Sequence, residues 1–152
     1  MSTLKSTYDV VIVGGGVTGS ASAYFLAAQD DFDGSVLVVE RDPTYQNAPS
    51  ARATGGIRQQ FSTPENIHMG LFGAQFVKQI DQHLSVDGEA PAVGFEERGY
   101  LLLATPKALP VMQANNEIQR KIGADIAFQS LNDLQQRFPW LDTAGLAAAF
   151  WG

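Results

Sequence analysis

Gly14-Gly15-Gly16-Val17-Thr18-Gly19 is the stretch whose residue types and spacing speak most directly of chemistry. It fits G-x-G-x-x-G, a pattern that signifies dinucleotide binding only where it joins a strand to a helix. In that setting Gly14 permits the tight turn, Gly16 lets the backbone approach a pyrophosphate, and Gly19 allows helix and strand to pack closely. The free N–H groups of the first helical turn then face the phosphates, helped by the positive end of the helix dipole. A second chemical group follows at Glu40. A carboxylate at the end of the next strand accepts hydrogen bonds from ribose hydroxyls and repels a 2′-phosphate, which disfavours NADP. The alternative is a glycine turn that serves the fold alone, with Glu40 a surface residue.

The flanking elements have the required types. Tyr8 to Val13 is a β-branched run, Val17 to Ala28 is rich in small residues and leucine, and Asp30 to Gly34 is a cluster of turn formers. Ser35 to Val39 then reads as a buried strand. This is a βαβ unit, so its strands should be parallel. Arg41 to Phe61 shows neither helical nor strand periodicity and is expected to be a long loop of the kind that often carries function.

Ser62 or Thr63 caps an expected helix that starts at Pro64 and carries an apolar stripe down to about Leu84. Gly94 to Ala104 is expected to form an antiparallel hairpin turning at Arg98-Gly99. A helix is expected over Ala108 to Ile122, closed by Gly123, and a short strand over Asp125 to Phe128. Ser130 and Asp133 mark a capping box for a helix ending before Pro139. The apolar run Leu146 to Trp151 reads as a strand with no neighbour in sight, which suggests a fragment of a longer protein. Trp140 and Trp151 are expected in the core.

The 152 residues include 45% hydrophobic residues, enough for a core, and the net charge of −6 offers no general attraction to nucleic acid or an anionic membrane. With no cysteines and two histidines, neither a disulfide nor a metal site is expected. His68 and His83 fall on the expected long helix and receive no role. Neither a signal peptide nor a transmembrane segment is expected, and a cytoplasmic location fits this composition.

The loop after Glu40 contains Ser50-Ala-Arg-Ala-Thr-Gly-Gly-Ile-Arg-Gln-Gln-Phe61, with a second glycine pair between arginines, followed by Pro64-Glu-Asn-Ile. Together with the glycine turn and Glu40-Arg41, this order resembles the D-amino-acid oxidase and sarcosine oxidase superfamily of FAD-dependent amine oxidoreductases. Gly99-Tyr-Leu-Leu-Leu-Ala and Phe138-Pro-Trp extend the likeness over nearly the whole chain. It is greatest to a bacterial and mitochondrial subgroup of FAD-dependent oxidoreductase-domain proteins that includes one implicated in assembly of respiratory complex I.

The resemblance implies an α/β fold: a Rossmann-like FAD-binding portion over residues 1–90, then the start of a mostly antiparallel α+β substrate domain over 91–152. It implies Gly14, Gly16, Val17 and Thr18 at the FAD pyrophosphate, with Gly19 completing the cofactor-binding turn, Glu40 and Arg41 at the adenosine, and Ala53, Thr54, Gly55, Gly56 and Ile57 beside the flavin. Arg58 is the candidate catalytic residue. It would stabilise negative charge on the reduced ring or orient a substrate carboxylate, or else be a surface or phosphate-pairing arginine. Some relatives attach FAD through a histidine in this loop. No histidine lies between residues 1 and 67 here, so non-covalent FAD is expected. Some relatives also place a substrate-binding arginine where this chain has Phe61, which puts that contact in doubt.

The implied function is oxidation of the C–N bond of a small amine or amino acid, with O2 or another redox protein as electron acceptor. Two rivals remain. One is an NAD-dependent dehydrogenase, which would need a regular third parallel strand soon after Glu40. The other is a flavin-containing assembly or interaction protein without rapid turnover.

Overall fold

The computed structural model describes residues 5–152. The chain forms two compact units, one up to Gly56 and one from Ile57. In the first, β1 (Val10–Val13) pairs in parallel with β2 (Val36–Val39), with Val10 opposite Val36 and Val13 opposite Val39. Helix α1 (Val17–Ala27) makes the crossover. Side chains pin the register at its start: the Asp9 carboxylate accepts from both the N–H and the hydroxyl of Ser35 at 2.7 Å. At the far end the Gly14 N–H donates to Val39 O at 2.8 Å, so pairing continues into the glycine turn. α1 buries no residue fully, and Val11, Val13, Val38 and Val39 remain exposed. A parallel sheet is ordinarily covered on both faces.

The second unit is a three-stranded antiparallel sheet with helices. β3 (Leu101–Ala104) and β4 (Ala127–Gln129) flank β5 (Ala148–Trp151) in the order β3-β5-β4. Its helices are α2 (Pro64–Lys78), α3 (Ile80–Leu84), α4 (Leu109–Ile122) and α5 (Leu131–Arg137). The core joins Ile67 of α2, Ala104, Ala124, Ile126 and Phe150, with Met112, Ile118 and Ile122 of α4 packed against them. Gly123 ends α4 at φ 104°, the left-handed conformation that glycine adopts without a Cβ penalty. The expected capping box opens α5: Ser130 Oγ accepts from the Asp133 N–H, and the Asp133 carboxylate accepts from the Ser130 N–H.

Several expectations need correction. No hairpin spans Gly94 to Ala104: residues 91–100 lack regular structure, and β3 takes its partner from β5. Exposed charged side chains pair along this approach. Glu97 pairs with Lys78 at 2.5 Å and Glu96 pairs with Arg98, while Trp151 packs against Gly99. The chain's last strand has neighbours on both sides and is the centre of its sheet. The expected single helix from Pro64 to Leu84 breaks at Gln79 (φ −109°, ψ 23°), whose N–H is shared between Gln75 O and Phe76 O. Trp140 is 78% exposed, whereas Trp151 is partly buried against Phe138 and under the Arg137 guanidinium.

Candidate functional site

Within the first unit, the glycine turn and the end of β2 form one cleft of about 460 Å3, lined by Gly14, Gly16, Glu40, Arg41, Tyr45 and neighbouring residues. Each motif glycine has a distinct reason to be there. Gly14 stands at φ 100°, which glycine alone adopts readily. A Cβ at Gly19 would collide with the Gly14 carbonyl oxygen. Gly16 is the N-cap of α1 in extended conformation, with no side chain capping the helix and no atom within 4 Å of where its Cβ would stand. The first N–H groups of α1 have no intrahelical partner, so the open space over Gly16 is a cradle for an anion.

Glu40 is half-buried, and its carboxylate is held by the backbone on two sides. Oε1 accepts from the Asp42 N–H at 2.9 Å and Oε2 from the Gly15 N–H at 2.7 Å. These two bonds, the Asp42 one foremost, hold the Glu40 carboxyl below the usual carboxylate range. It is therefore an anion at neutral pH. A carboxylate offers about four acceptor positions, and these two bonds take two of them.

Asp42 organises the loop behind Glu40. It accepts from the N–H and hydroxyl of Thr44 and from Asn47, which keeps its carboxyl below the usual range. Arg52, in a short 3-10 turn at Ser50–Arg52, donates to Gln46 O and to Asn47. Between Arg41 and Gly56 the described residues contain that turn and no strand.

The sequence-predicted site residues divide accordingly. Gly14, Gly16, Glu40 and Arg41 meet at the cleft, Gly19 supports the turn, and Val17 and Thr18 sit exposed in the first turn of α1. Ala53, Thr54, Gly55 and Gly56 are exposed, with Gly55 at φ 71°, and are not among that cleft's lining residues.

Ile57 and Arg58 begin the second unit. Arg58 is exposed, has no carboxylate partner among the described residues, and lies 4.7 Å over the Phe61 ring. It lines a second, smaller cleft of about 210 Å3 with Gln60, Phe61, Ser62 and residues of α4.

Sequence reasoning missed three residues here. Gln60, only 6% exposed, donates its amide N–H groups to Tyr100 O (3.1 Å) and Phe150 O (3.2 Å) and leaves Oε1 unpaired. Gln119 of α4 donates to Phe61 O at 2.8 Å. Gly70 of α2 lets the helix pass against the Arg58 carbonyl, which a Cβ would strike. Together they fix the backbone on which Arg58 is carried. Only Gly70, a glycine inside a helical stripe, offered a sequence signal.

No helix among the described residues is long and apolar enough to cross a membrane. A profile of the family described as FAD dependent oxidoreductase matches residues 9–152. Two relatives named FAD-dependent oxidoreductase domain-containing protein 1, from Xenopus laevis and Bos taurus, are 46% and 45% identical over 95% of this chain. The chain spans about 30% of the length of those relatives. Among solved structures, L-proline dehydrogenase from P. horikoshii superposes with a TM-score of 0.72 at 26% identity, over 98% of this chain and 37% of its own. Glycine oxidase from Geobacillus kaustophilus gives 0.69 at 27%, over 95% and 38%. With its glycine turn, its acid after β2 and this match over residues 9–152, the chain belongs to the FAD-dependent oxidoreductase family.

Proposed function

We infer that this chain is the N-terminal part of an FAD-dependent oxidoreductase that oxidises the C–N bond of a small amine or amino acid. The observation that carries the cofactor side is the Glu40 carboxylate, anchored by Gly15 and Asp42 with acceptor positions to spare beside an open glycine turn. Gly14, Gly16, Val17 and Thr18 hold the pyrophosphate on the turn that Gly19 closes, and Glu40 and Arg41 hold the adenosine. Ala53 to Ile57 run beside the flavin. The absence of a strand among the described residues from Arg41 to Gly56 favours FAD over NAD, whose domain continues into a regular third strand.

In this reading residues 1–90 serve the cofactor and 91–152 begin the cover over the substrate. FAD is held without a covalent bond. When bound, its flavin accepts the hydride from the C–H beside the substrate nitrogen. Arg58, held over Phe61 and without a carboxylate partner among the described residues, binds negative charge on the substrate or beside the flavin. The nature of two neighbours supports an amino-acid substrate: one is an L-proline dehydrogenase, the other a glycine oxidase. The electron acceptor is O2 or another redox protein.

The test is to reconstitute the complete protein with FAD and add proline, glycine and N-methylated amino acids without oxygen. Bleaching of the flavin by one of them, with all flavin released on denaturation, is the expected result. A protein that takes up NAD and no flavin overturns the reading.

A further inference from the structure

Gly15 occupies a free position of the G-x-G-x-x-G pattern, yet it is buried and could not accept a side chain. A Cβ there would stand 2.9 Å from Tyr45 Oη and 3.2 Å from Glu40 Cβ. The phenol of Tyr45 therefore rests against the backbone of the glycine turn. Its own backbone sits at φ 57°, the left-handed region that a residue with a Cβ enters at a cost and that asparagine or glycine fills readily. Core burial does not compensate, since Tyr45 is 41% exposed. Its ring instead walls the cleft that holds Gly14, Gly16, Glu40 and Arg41, and its phenol has no hydrogen-bond partner among the described residues.

We propose that Tyr45 is a further cofactor-binding residue: its ring covers the adenosine side of the cleft and its hydroxyl donates to a pyrophosphate oxygen above Gly15. The chemistry is that of a neutral donor meeting an anion, a pairing stronger than one between neutral groups. Asp42 sets the loop so that the phenol reaches the turn. The Tyr45 N–H donates to Asp42 O at 3.0 Å, and the Ala48 N–H donates to Tyr45 O at 3.0 Å. Gly15 is glycine because the phenol and the Glu40 stem take the space of its side chain.

This assignment rests on the FAD reading, and its test separates the two. FAD and ADP are titrated onto the complete apoprotein as wild type, Tyr45→Phe and Tyr45→Gly, with binding read by flavin fluorescence and by calorimetry. Tyr45→Phe should bind both ligands roughly tenfold more weakly, the worth of one hydrogen bond to a charged group. Tyr45→Gly should bind more weakly still while its ligand-free melting temperature holds or rises, because glycine accepts the left-handed backbone. Wild-type affinity in both variants overturns the role of Tyr45 and leaves the FAD reading intact. A complete wild-type protein that binds neither FAD nor ADP overturns the FAD reading and this assignment with it.

Discussion

The Gly15 N–H and Glu40 Oε2 lie 2.7 Å apart, so one charge-assisted hydrogen bond ties the turn ahead of α1 to the end of β2. The glycine turn and the Glu40 carboxylate are thus fixed relative to each other. Glu40→Gln keeps the shape but loses the charge and one acceptor. A hydrogen bond to a charged group is worth about 1.5–3 kcal/mol, so FAD affinity should fall roughly ten- to hundredfold in a fluorescence titration. Unchanged affinity removes Glu40 from the site.

The same pair predicts a pH dependence. The Asp42 and Gly15 N–H groups lower the Glu40 pKa in the folded chain, so their contribution is complete above the ordinary carboxylate value and is lost as pH falls through the lowered one. ADP affinity should hold from neutrality down through the ordinary carboxylate range, near about pH 4.3, and decline only below it. Asp9, Asp42 and Asp133 are lowered in the same direction. The difference between wild type and Glu40→Gln, measured at each pH, isolates Glu40. A decline already complete at pH values above that range contradicts the assignment.

Glycines on one helix should behave oppositely. On α2, a Cβ at Gly70 meets the Arg58 carbonyl, whereas one at Gly73 meets nothing within 4 Å. Gly73→Ala should stabilise the chain by about 0.5–1 kcal/mol through helix propensity and lost unfolded-state freedom. Gly70→Ala should destabilise it by about 1–3 kcal/mol through overpacking. Urea unfolding of both variants checks the pair, and equal effects refute the close approach of α2 to Arg58.

Gln60 holds the backbone next to Arg58 to the sheet at Tyr100 and Phe150. Gln60→Leu fills similar space but strands both carbonyl contacts, which should cost about 1–3 kcal/mol, each net hydrogen bond being worth about 1. A urea midpoint equal to wild type contradicts this. At the other end of the unit, Ser130→Ala removes the cap of α5 and should cost about 1 kcal/mol.

The glycine turn and Glu40 were legible in the sequence because their meaning is local: strand, turn, helix, strand and acid follow one another along the chain. The capping box of Ser130 and Asp133 was legible for the same reason. The partner of β3 was not, because Leu101 to Ala104 pairs with residues far along the chain, and no local pattern encodes such a pairing. The break at Gln79 carries neither proline nor glycine to announce it. Gly15 and Tyr45 show the same limit at the site. Each looks unremarkable in its own segment, and only the fold sets the phenol of one against the backbone of the other.

The most direct test of the account is competition for the cleft between Gly14 and Glu40. FAD bound to the complete protein should be displaced by ADP, much less by ADP carrying a 2′-phosphate, and not by FMN, which lacks the adenosine half. Displacement by FMN with no effect of ADP would contradict the central claim that this turn and Glu40 grip the adenosine pyrophosphate of FAD.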